Sequence, residues 1–250
     1  MLQTLIQEVD VDVVQKRKKS DTIFIFGSGY SINDLSSLEI EKMEEHDTLS
    51  FSWFIYQNFI RADYHLIREV ARNDWNPAIW RPEIQFYGEL LKGNPFYQNA
   101  LFVLQVSINS LRLVSNHCFP EGAEYIFYHS CPKGTKYPNE DFRSRSGGLV
   151  HGPSTLFDCI NFAYLFGWQK IVLVGVDLYD SRYFWLKPDQ SRPGDAERKI
   201  GYMDQHNTAY ETVIWVRRWG KYFQKRKIEL FVYHPKSLLT RVLPIFGGLR

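Results

Sequence analysis

Residues 23–35 read IFIFGSGYSINDL, in which an apolar run passes directly into Gly27, Ser28 and Gly29 and then into polar residues. The apolar run TIFIFG, residues 22–27, is typical of a central strand in a parallel sheet that is covered on both faces. A turn at the carboxyl end of such a strand lies where α/β proteins bind ligands. Because Gly27 and Gly29 have no Cβ, we expect their backbone to admit a close ligand. A tight structural turn is the alternative.

Polar residues follow the glycine turn, and they predict the start of a helix. Ser31, Asn33 and Asp34 are residue types that cap helices, and residues 35–46 have helical spacing. A helix N-terminus presents free N–H groups and a positive dipole end, which together favour phosphate. No third glycine completes a G-x-G-x-x-G fingerprint, so NAD binding is disfavoured. Phosphate binding and a purely structural turn both stay open.

Strand and helix patterns alternate along the rest of the chain. Residues 1–20 read as a helical lead-in that ends in the solvated basic run QKRKK, and residues 71–100 read as mixed. Further helices are predicted at 154–168 and 207–227, the latter with a break near Gly220. Strands are predicted at 22–27, 47–54, 62–67, 100–108, 123–130, 170–178 and 228–235. This alternation predicts an α/β fold, a single Rossmann-like domain over residues 1–250 with a mainly parallel sheet.

Composition narrows the classes of function. The chain has 250 residues, 44% of them hydrophobic, which is enough for a substantial core. Its net charge of +2 is nearly balanced, so we expect no nucleic-acid partner. Three cysteines without metal-ligand spacing suit a reducing compartment, and no apolar run approaches the ~20 residues that span a bilayer. We therefore expect a cytoplasmic enzyme or binding protein.

The most informative segment is residues 152–183, GPSTLFDCINFAYLFGWQKIVLVGVDLYDSRY. Small residues open a helix, Gly167 ends it, and a buried strand then leads to Asp177 at the expected ligand edge. The Asp177 carboxylate could bind a sugar hydroxyl or a metal. It could also cap the loop by accepting backbone N–H groups, and this structural role is slightly favoured.

A long polar and aromatic loop covers about residues 179–205, and we expect it to be a mobile lid that orders when a ligand binds. Tyr179, Arg182 and Tyr183 supply phenol and guanidinium groups that can neutralise a departing phosphate without a metal. His206, two residues after Asp204, directly precedes a predicted helix and is a candidate general base. The alternative is an ordinary aromatic loop with a histidine cap.

Several stretches occur in a recognisable order between about residues 20 and 245: FIFGSGYSINDL, FSWF, ADYH, FAYLFGWQKIVLVGVDLY, HNTAYE and IELFVYHPKSLL. This order resembles the bacterial sialyltransferases of glycosyltransferase family 42. It is also similar to the related domain-of-unknown-function 115 family, which has a Rossmann-like core. The resemblance implies a nucleotide-activated acidic sugar as donor, usually CMP-sialic acid. It also implies an inverting, metal-independent transfer to a glycan hydroxyl, with no cofactor.

The resemblance assigns a nucleotide-binding set, which comprises Gly27, Ser28, Gly29, Ser31, Ser52, Ser154, Thr155 and Asp177. Ser28 and Ser52 stand where the family often has Asn, and Tyr30 stands where it often has Pro, so the implication of cytidine is weakened. Ser154 and Thr155 match a serine near the donor carboxylate. We expect one ligand pocket that joins the turn at 27–31, the turn at 152–155 and the loop at 179–183.

The resemblance also assigns a catalytic set of Tyr179, Tyr183, His206 and Asp204, with no metal site. Tyr179 matches the first of two phosphate-binding tyrosines, and Tyr183 is the candidate for the second at a shorter spacing. The family's catalytic histidine lies a little before an Asn-Thr pair. Here His206 adjoins that pair directly, and Asp204 occupies the position that the spacing favours. We expect His206 to be the base, with Asp204 as the alternative. If neither is required, the silent binding module or another base such as His151 remains.

Other functions stay open. A pyrophosphokinase of the pterin type would need Mg²⁺, with Asp177, Asp180 and Asp204 as candidate ligands, and a catalytically silent nucleotide-binding module is a further alternative. The expected partners are a nucleotide-sugar donor and a glycan or lipid-linked glycan acceptor, with a homo-oligomer left open. The C-terminal run KSLLTRVLPIFGGLR predicts peripheral contact with the inner membrane, or else a tail that packs in the core.

Overall fold

The computed structural model describes residues 6–68, 70–71, 74–142, 148–179, 182–186 and 208–249. Within these residues, eight strands form one sheet in which every neighbouring pair is parallel. The strands are β1 (Gln7–Glu8), β2 (Thr22–Phe26), β3 (Asp47–Phe51), β4 (Tyr64–Ile67), β5 (Leu101–Gln105), β6 (Glu124–Tyr128), β7 (Lys170–Val174) and β8 (Glu229–Val232). The α-helices are α1 (Val13–Arg17), α2 (Ser37–Glu44), α3 (Pro77–Gly93), α4 (Ile108–Ser115), α5 (Thr155–Leu165) and α6 (Thr208–Gln224). The predicted α/β fold class is confirmed.

The strand order β1-β6-β5-β4-β3-β2-β7-β8 puts a switch of winding direction between β2 and β7. From β2 the chain adds strands outward on one side as far as β6, and it then returns to add β7 on the other side of β2. Phe26 is in register with Ser50 of β3 and with Val174 of β7, so the carboxyl ends of these three strands are nearly level. In open parallel sheets, ligands bind beyond the carboxyl ends at such a switch.

Helices cover both faces of the sheet. One face packs against α1, α5 and α6, where Phe157, Phe162 and Trp219 join the strand side chains in one core cluster. The opposite face is covered by α3 and α4 over one half. Over the other half it is covered by α2 and the C-terminal segment. Consequently β2 is buried at every position, which explains its unbroken apolar sequence.

The N-terminal segment differs from the predicted helical lead-in. Its described helix is the short α1, and the preceding Gln7–Glu8 pair with β6 as an edge strand. The basic run is not a solvated helix end either, because Arg17 pairs with Glu124 at 2.6 Å and Lys19 pairs with Asp63 at 2.6 Å. Two polar residues carry no strand pattern of their own, so β1 depends on the tertiary pairing.

The central elements agree more closely with the predictions. Every predicted strand is present, and each is shorter than predicted. The strand β3, for example, ends at Phe51 and is followed by a 3-10 helix at Ser52–Tyr56. The region read as mixed contains α3, a helix of 17 residues with Pro82 inside it. The helix α4 was missed, and α6 continues through Gly220 without the predicted break.

The C-terminal segment packs in the core, as the second of the two predictions for it stated. Leu239 is 0% exposed and Leu249 is 8% exposed. The ring of Phe246 contacts that of Phe24 at a centroid distance of 5.6 Å, and Lys42 donates to the carbonyl group of Leu249 at 2.7 Å. The apolar side chains that suggested membrane contact are largely used within the fold. No helix in the described residues is long and apolar enough to cross a membrane.

Candidate functional site

The glycine turn after β2 packs against the turn after β7. A Cβ on Gly29 would lie 2.5 Å from Oδ2 of Asp177, and a Cβ on Gly27 would lie 2.7 Å from the carbonyl oxygen of Gly175. The N–H group of Gly27 donates to Val174 at 2.8 Å, and that of Gly29 donates to Gly175 at 2.7 Å. The glycines are therefore required by close packing within the protein, whether or not a ligand also approaches them.

The turn does not lead directly into an α-helix, and this corrects the sequence-based expectation. A 3-10 helix covers Tyr30–Asp34, and α2 begins after it with Ser36 as the cap. The N–H group of Ser31 already donates to Asp177 at 2.8 Å, and the amides of both glycines are also bonded. A cradle of free helix N–H groups is therefore absent at these positions, and nucleotide binding by the turn stays a prediction.

Asp177 joins the two turns. Its side chain is buried, and its carboxylate accepts hydrogen bonds from both the N–H group and the hydroxyl group of Ser31. Its carbonyl group accepts from the N–H group of Leu238 at 3.0 Å, which ties the C-terminal segment to the same edge. These contacts give Asp177 the structural capping role that the sequence favoured. A direct contact between its carboxylate and a nucleotide stays a prediction.

Tyr179 and Tyr183 lie at the same edge of the sheet as the joined turns. Tyr179 is 37% exposed and follows Leu178, whose φ of 63° lies in the left-handed region. Tyr183 forms an isolated antiparallel bridge with Gly29, and its ring stacks on Trp185 at a centroid distance of 4.3 Å. The structure thus brings one of the two predicted phosphate-binding tyrosines directly onto the predicted nucleotide-binding turn.

Residues 182–186 are docked onto the fold by backbone and aromatic contacts. The N–H group of Phe184 donates to the carbonyl group of Ser28 at 3.1 Å, and its ring packs against Phe54 at 5.2 Å. The guanidinium group of Arg182 lies 4.0 Å from the centroid of the Tyr30 ring. A cation over an aromatic face contributes about 0.5–1 kcal/mol at an exposed site.

Ser52, Ser154 and Thr155 also stand at the carboxyl edge. Ser52 directly follows β3 and has a φ of 51°, a left-handed conformation that is uncommon for serine. Ser154 is the N-cap residue of α5, and its side chain makes no capping hydrogen bond. Because α5 leads into β7, it runs against the strand direction, and its N-terminus lies at this edge. Their contacts with a nucleotide stay predictions.

A second polar cluster lies at this edge, and its centre, Asp158 of α5, was missed by the sequence analysis. The Asp158 side chain is 0% exposed. Its Oδ1 lies 3.3 Å from Nη1 of Arg68 and accepts from the Tyr128 hydroxyl at 3.2 Å, and its Oδ2 lies 2.7 Å from Nδ1 of His151. Burial, followed by the charge of Asp158, raises the pKa of Tyr128 well above its ordinary value, so this phenol keeps its proton.

A signal for this cluster was present in the sequence. Asp158 interrupts the otherwise apolar helix run TLFDCINFAYL. A carboxylate on a buried helix face needs hydrogen-bonding or charged partners, because an unpaired buried charge costs several kcal/mol. The partners themselves could not be named from the sequence, because Arg68 is 90 residues away.

His65 has a different, structural role. It is buried on β4, with Nδ1 2.8 Å from the hydroxyl of Ser50 and Nε2 2.9 Å from the hydroxyl of Tyr87. Desolvation lowers the pKa of His65 to about 3, so the ring is neutral at pH 7. Both ring nitrogens are used by the protein, and we assign it no part in catalysis.

Several predicted residues lie outside the described residues. These are Asp180, Asp204, His206 and the part of the predicted lid from residue 187 to residue 205. The assignment of His206 or Asp204 as the base therefore stays a prediction. Within the ranges that the structure describes, no three His, Cys, Asp or Glu side chains converge as a metal site.

The fold and the site define an α/β protein whose polar and aromatic side chains collect at the switch point of a parallel sheet. No protein-family model matches the chain, and no curated protein sequence matches it. Solved structures do share its fold. One is the monofunctional alpha-2,3-sialyltransferase Cst-I from Campylobacter jejuni, with a TM-score of 0.51 and 13% identity, over 97% of this chain and 84% of that one.

A second structure with this fold is a variant of the sialyltransferase CST-II in complex with CMP. Its TM-score is 0.50 and its identity is 13%, over 91% of this chain and 87% of that one. Both alignments cover more than nine-tenths of this chain, so the likeness is not confined to one part of the fold. The fold expected from the resemblance to sialyltransferases is confirmed.

Proposed function

We propose that the chain is a glycosyltransferase that moves an acidic sugar, sialic acid or a related nonulosonate, from a CMP-sugar donor to a glycan hydroxyl. The observation that carries this proposal is the site at the switch point, where the contact of Ser31 with Asp177 joins two turns beside Tyr179 and Tyr183. The likeness in fold to two sialyltransferases, one of them solved with CMP, supports it.

The proposed reaction exchanges one bond of the anomeric carbon for another. The acceptor oxygen forms a bond to that carbon, and the bond from the carbon to a phosphate oxygen of CMP breaks. The electron pair of the broken bond leaves with CMP, and the acceptor proton passes to a base. Because the acceptor attacks opposite the phosphate, the configuration of the anomeric carbon inverts. The protein must therefore stabilise a phosphate and accept a proton.

Tyr179 and Tyr183 are proposed to donate hydrogen bonds to the departing phosphate, which needs no metal ion. Hydrogen-bond donors that are fixed where negative charge develops contribute about 10²–10³-fold each. The stacking of Tyr183 on Trp185 supports this role, because a ring that is already held loses little freedom when the donor binds. Tyr183→Phe should lower the transfer rate by about 10²-fold. Tyr137→Phe, at an exposed tyrosine, is the control.

Nucleotide binding is the first test of the proposal. A ligand at 100 times its Kd stabilises a protein by about 2.7 kcal/mol, which corresponds to a rise in Tm of roughly 5–10 °C for a chain of this size. We expect CMP to produce this shift and UMP, AMP and GMP to produce less. Equal shifts for all four nucleotides would contradict a cytidine site.

Turnover is the second test. The protein is incubated with CMP-sialic acid or CMP-Kdo and a glycan acceptor in the presence of EDTA, and release of CMP and formation of the glycoside are measured. We expect both products in equal amounts. Release of AMP from ATP only with Mg²⁺ would favour the pyrophosphokinase. A CMP shift without turnover of any CMP-sugar would favour the silent nucleotide-binding module.

A further inference from the structure

We propose that His151, oriented by Asp158, is the general base that receives the acceptor proton in this reaction. This inference rests on the proposed function and names the base within the same site. His151 Nδ1 lies 2.7 Å from Oδ2 of the fully buried Asp158. The histidine side chain itself is 33% exposed, so the ring reaches from a buried anchor to the surface of the carboxyl edge.

The hydrogen bond to Asp158 determines which nitrogen of His151 is available. A carboxylate accepts the Nδ1 proton, so the lone pair of the neutral ring is on Nε2. Among the described residues, Nε2 has no protein partner. This arrangement, with a buried carboxylate behind one nitrogen and an available lone pair on the other, is that of histidines that take a proton from a hydroxyl group.

The carboxylate of Asp158 is itself held in place. The Tyr128 hydroxyl donates to its Oδ1 at 3.2 Å, and the guanidinium group of Arg68 lies 3.3 Å from the same atom. Arg68 also donates to the hydroxyl of Ser130 at 2.7 Å. These donors compensate the carboxylate for its burial. Asp158 can therefore stabilise the imidazolium that forms when His151 accepts a proton.

The backbone around His151 is fixed on both sides. The N–H group of Val150 donates to the side chain of the buried Asn161 at 3.0 Å. Gly152 has a φ of 57°, and a Cβ there would lie 3.0 Å from the rings of Phe157 and Trp215. A side chain at position 152 is therefore excluded for two reasons, conformation and space. These contacts hold the backbone on both sides of His151, and they restrict the position of its ring when no ligand is bound.

The cluster around His151 and the proposed nucleotide site lie at the same edge of the sheet. Arg68 directly follows β4, which is separated from β2 by β3 alone. Neighbouring strands lie about 4.8 Å apart, so the ends of β2 and β4 are roughly 10 Å apart along the edge. The proposal requires the anomeric carbon and the acceptor hydroxyl to lie beside His151, while the phosphate that is bonded to that carbon lies beside Tyr183.

A second histidine–aspartate pair at the same edge provides a contrast. His234, two residues after β8, has Nε2 3.2 Å from the Oδ2 of Asp34, and its Nδ1 accepts from the Lys236 N–H at 3.4 Å. Both of its nitrogens are used by the protein. The His234–Asp34 pair therefore has the same residue types as the His151–Asp158 pair, but its histidine has no available lone pair. For this reason it serves as a matched control.

The proton balance of the step is simple. As the acceptor oxygen bonds to the anomeric carbon, its proton moves to Nε2 of His151, and the ring becomes an imidazolium paired with Asp158. The electron pair of the O–H bond stays on oxygen and forms the new glycosidic bond. The proton later returns to solvent from the exposed part of the ring, and the base is regenerated.

The test uses the 250-residue chain with CMP-sialic acid and a glycan acceptor. His151→Asn keeps a side-chain donor near Asp158 and removes the base, so we expect the transfer rate to fall by about 10²–10⁴-fold. We expect the CMP-induced rise in Tm to be unchanged, and the acid limb of the wild-type pH–rate profile to be absent from the residual rate. His234→Asn should retain the wild-type rate. Imidazole should partly restore the rate of His151→Ala, which a purely structural role would not allow.

The outcomes separate this inference from the proposed function. If the wild-type chain transfers no sugar from any CMP-sugar, both are overturned. If the wild-type chain is active and His151→Asn keeps more than a tenth of its rate, this inference alone is overturned. A loss of 100-fold in His206→Ala beside an active His151→Asn would return the role of the base to His206.

Discussion

Gly29 shows how one residue type can serve both the fold and the site. Its missing Cβ allows the turn after β2 to reach Asp177 and Gly175, and Gly29 also forms the antiparallel bridge with Tyr183. From the sequence, the approach of a ligand and a tight structural turn are both open explanations of the glycine. The turn after β7, which actually fills the space, is far away in the chain, so no local pattern could have indicated it.

Gly29→Ala should destabilise the protein, because the new methyl group would lie 2.5 Å from a carboxylate oxygen and 2.6 Å from a backbone carbonyl oxygen. Forcing a methyl group into packed structure costs roughly 1–3 kcal/mol. Gly93→Ala, at the end of α3 with nothing within 4 Å, is the control and should be neutral or stabilising by up to about 1 kcal/mol. Urea unfolding of both variants measures the difference. Equal stability would mean that the turns are less tightly packed than described.

His65 should make the stability of the protein dependent on pH. Its folded pKa of about 3 lies below the ordinary value of 6.5, so between these values the unfolded chain binds a proton that the folded chain does not. Stability is therefore full above about pH 6.5 and falls as the pH is lowered, by roughly 2 kcal/mol at pH 5. Urea unfolding between pH 7.5 and pH 5 tests this.

His65→Gln is the control for the pH experiment. It is expected to be less stable at pH 7.5, because buried hydrogen bonds to Ser50 and Tyr87 are disturbed. Its loss of stability between pH 6.5 and pH 5 should nevertheless be smaller than that of the wild-type chain. The same pH dependence in both proteins would assign the effect to other groups.

At the scale of elements, α3 illustrates the limit of local rules. Pro77, Pro82 and Pro95 made residues 71–100 read as mixed, yet a helix runs from the first of these prolines past the second. Pro77 stands at the start of the helix, where its ring is favourable. Burial of Ile84, Tyr87 and Leu91 against the sheet compensates for the interior proline. Tertiary packing thus overrides a strong local signal.

Pro82→Ala should therefore stabilise the protein. Pro82 is exposed and inside α3, where it removes one intrahelical hydrogen bond, at a cost of up to about 3 kcal/mol. Pro77→Ala is the matched control, and we expect it to be neutral or slightly destabilising. Thermal unfolding of the two variants and of the wild-type chain measures these changes in stability. A lower Tm for Pro82→Ala would show that the proline ring makes a favourable contact.

The strands were more predictable than the site for a physical reason. A buried parallel strand must be apolar along its whole length, so β2, β5 and β7 are visible in the sequence. The strand β1 is polar and has only two residues, and it exists through its pairing with β6. The cluster around Asp158 depends likewise on contacts between distant segments. Turn positions could be predicted, and side-chain partners could not.

At the scale of the whole molecule, substitutions in the C-terminal segment can distinguish packing in the core from anchoring at a membrane surface. Leu239 is 0% exposed and Ile245 is 44% exposed, although both belong to the run that suggested membrane contact. Leu239→Ala should cost about 2–5 kcal/mol, and Ile245→Ala much less. Urea unfolding measures this, and neither substitution should change flotation with anionic liposomes. Loss of flotation in Ile245→Ala would support the prediction of membrane contact.

The contact between Ser31 and Asp177 also has a consequence for folding during synthesis on the ribosome. The two residues are 146 positions apart, and β2 has β7 as one of its two neighbours. A ribosome that adds about 5–20 residues per second needs on the order of ten seconds to proceed from the first turn to the second. During that time one edge of the central strand is unpaired and exposed to other chains, and it depends on chaperones or on rapid burial for its protection.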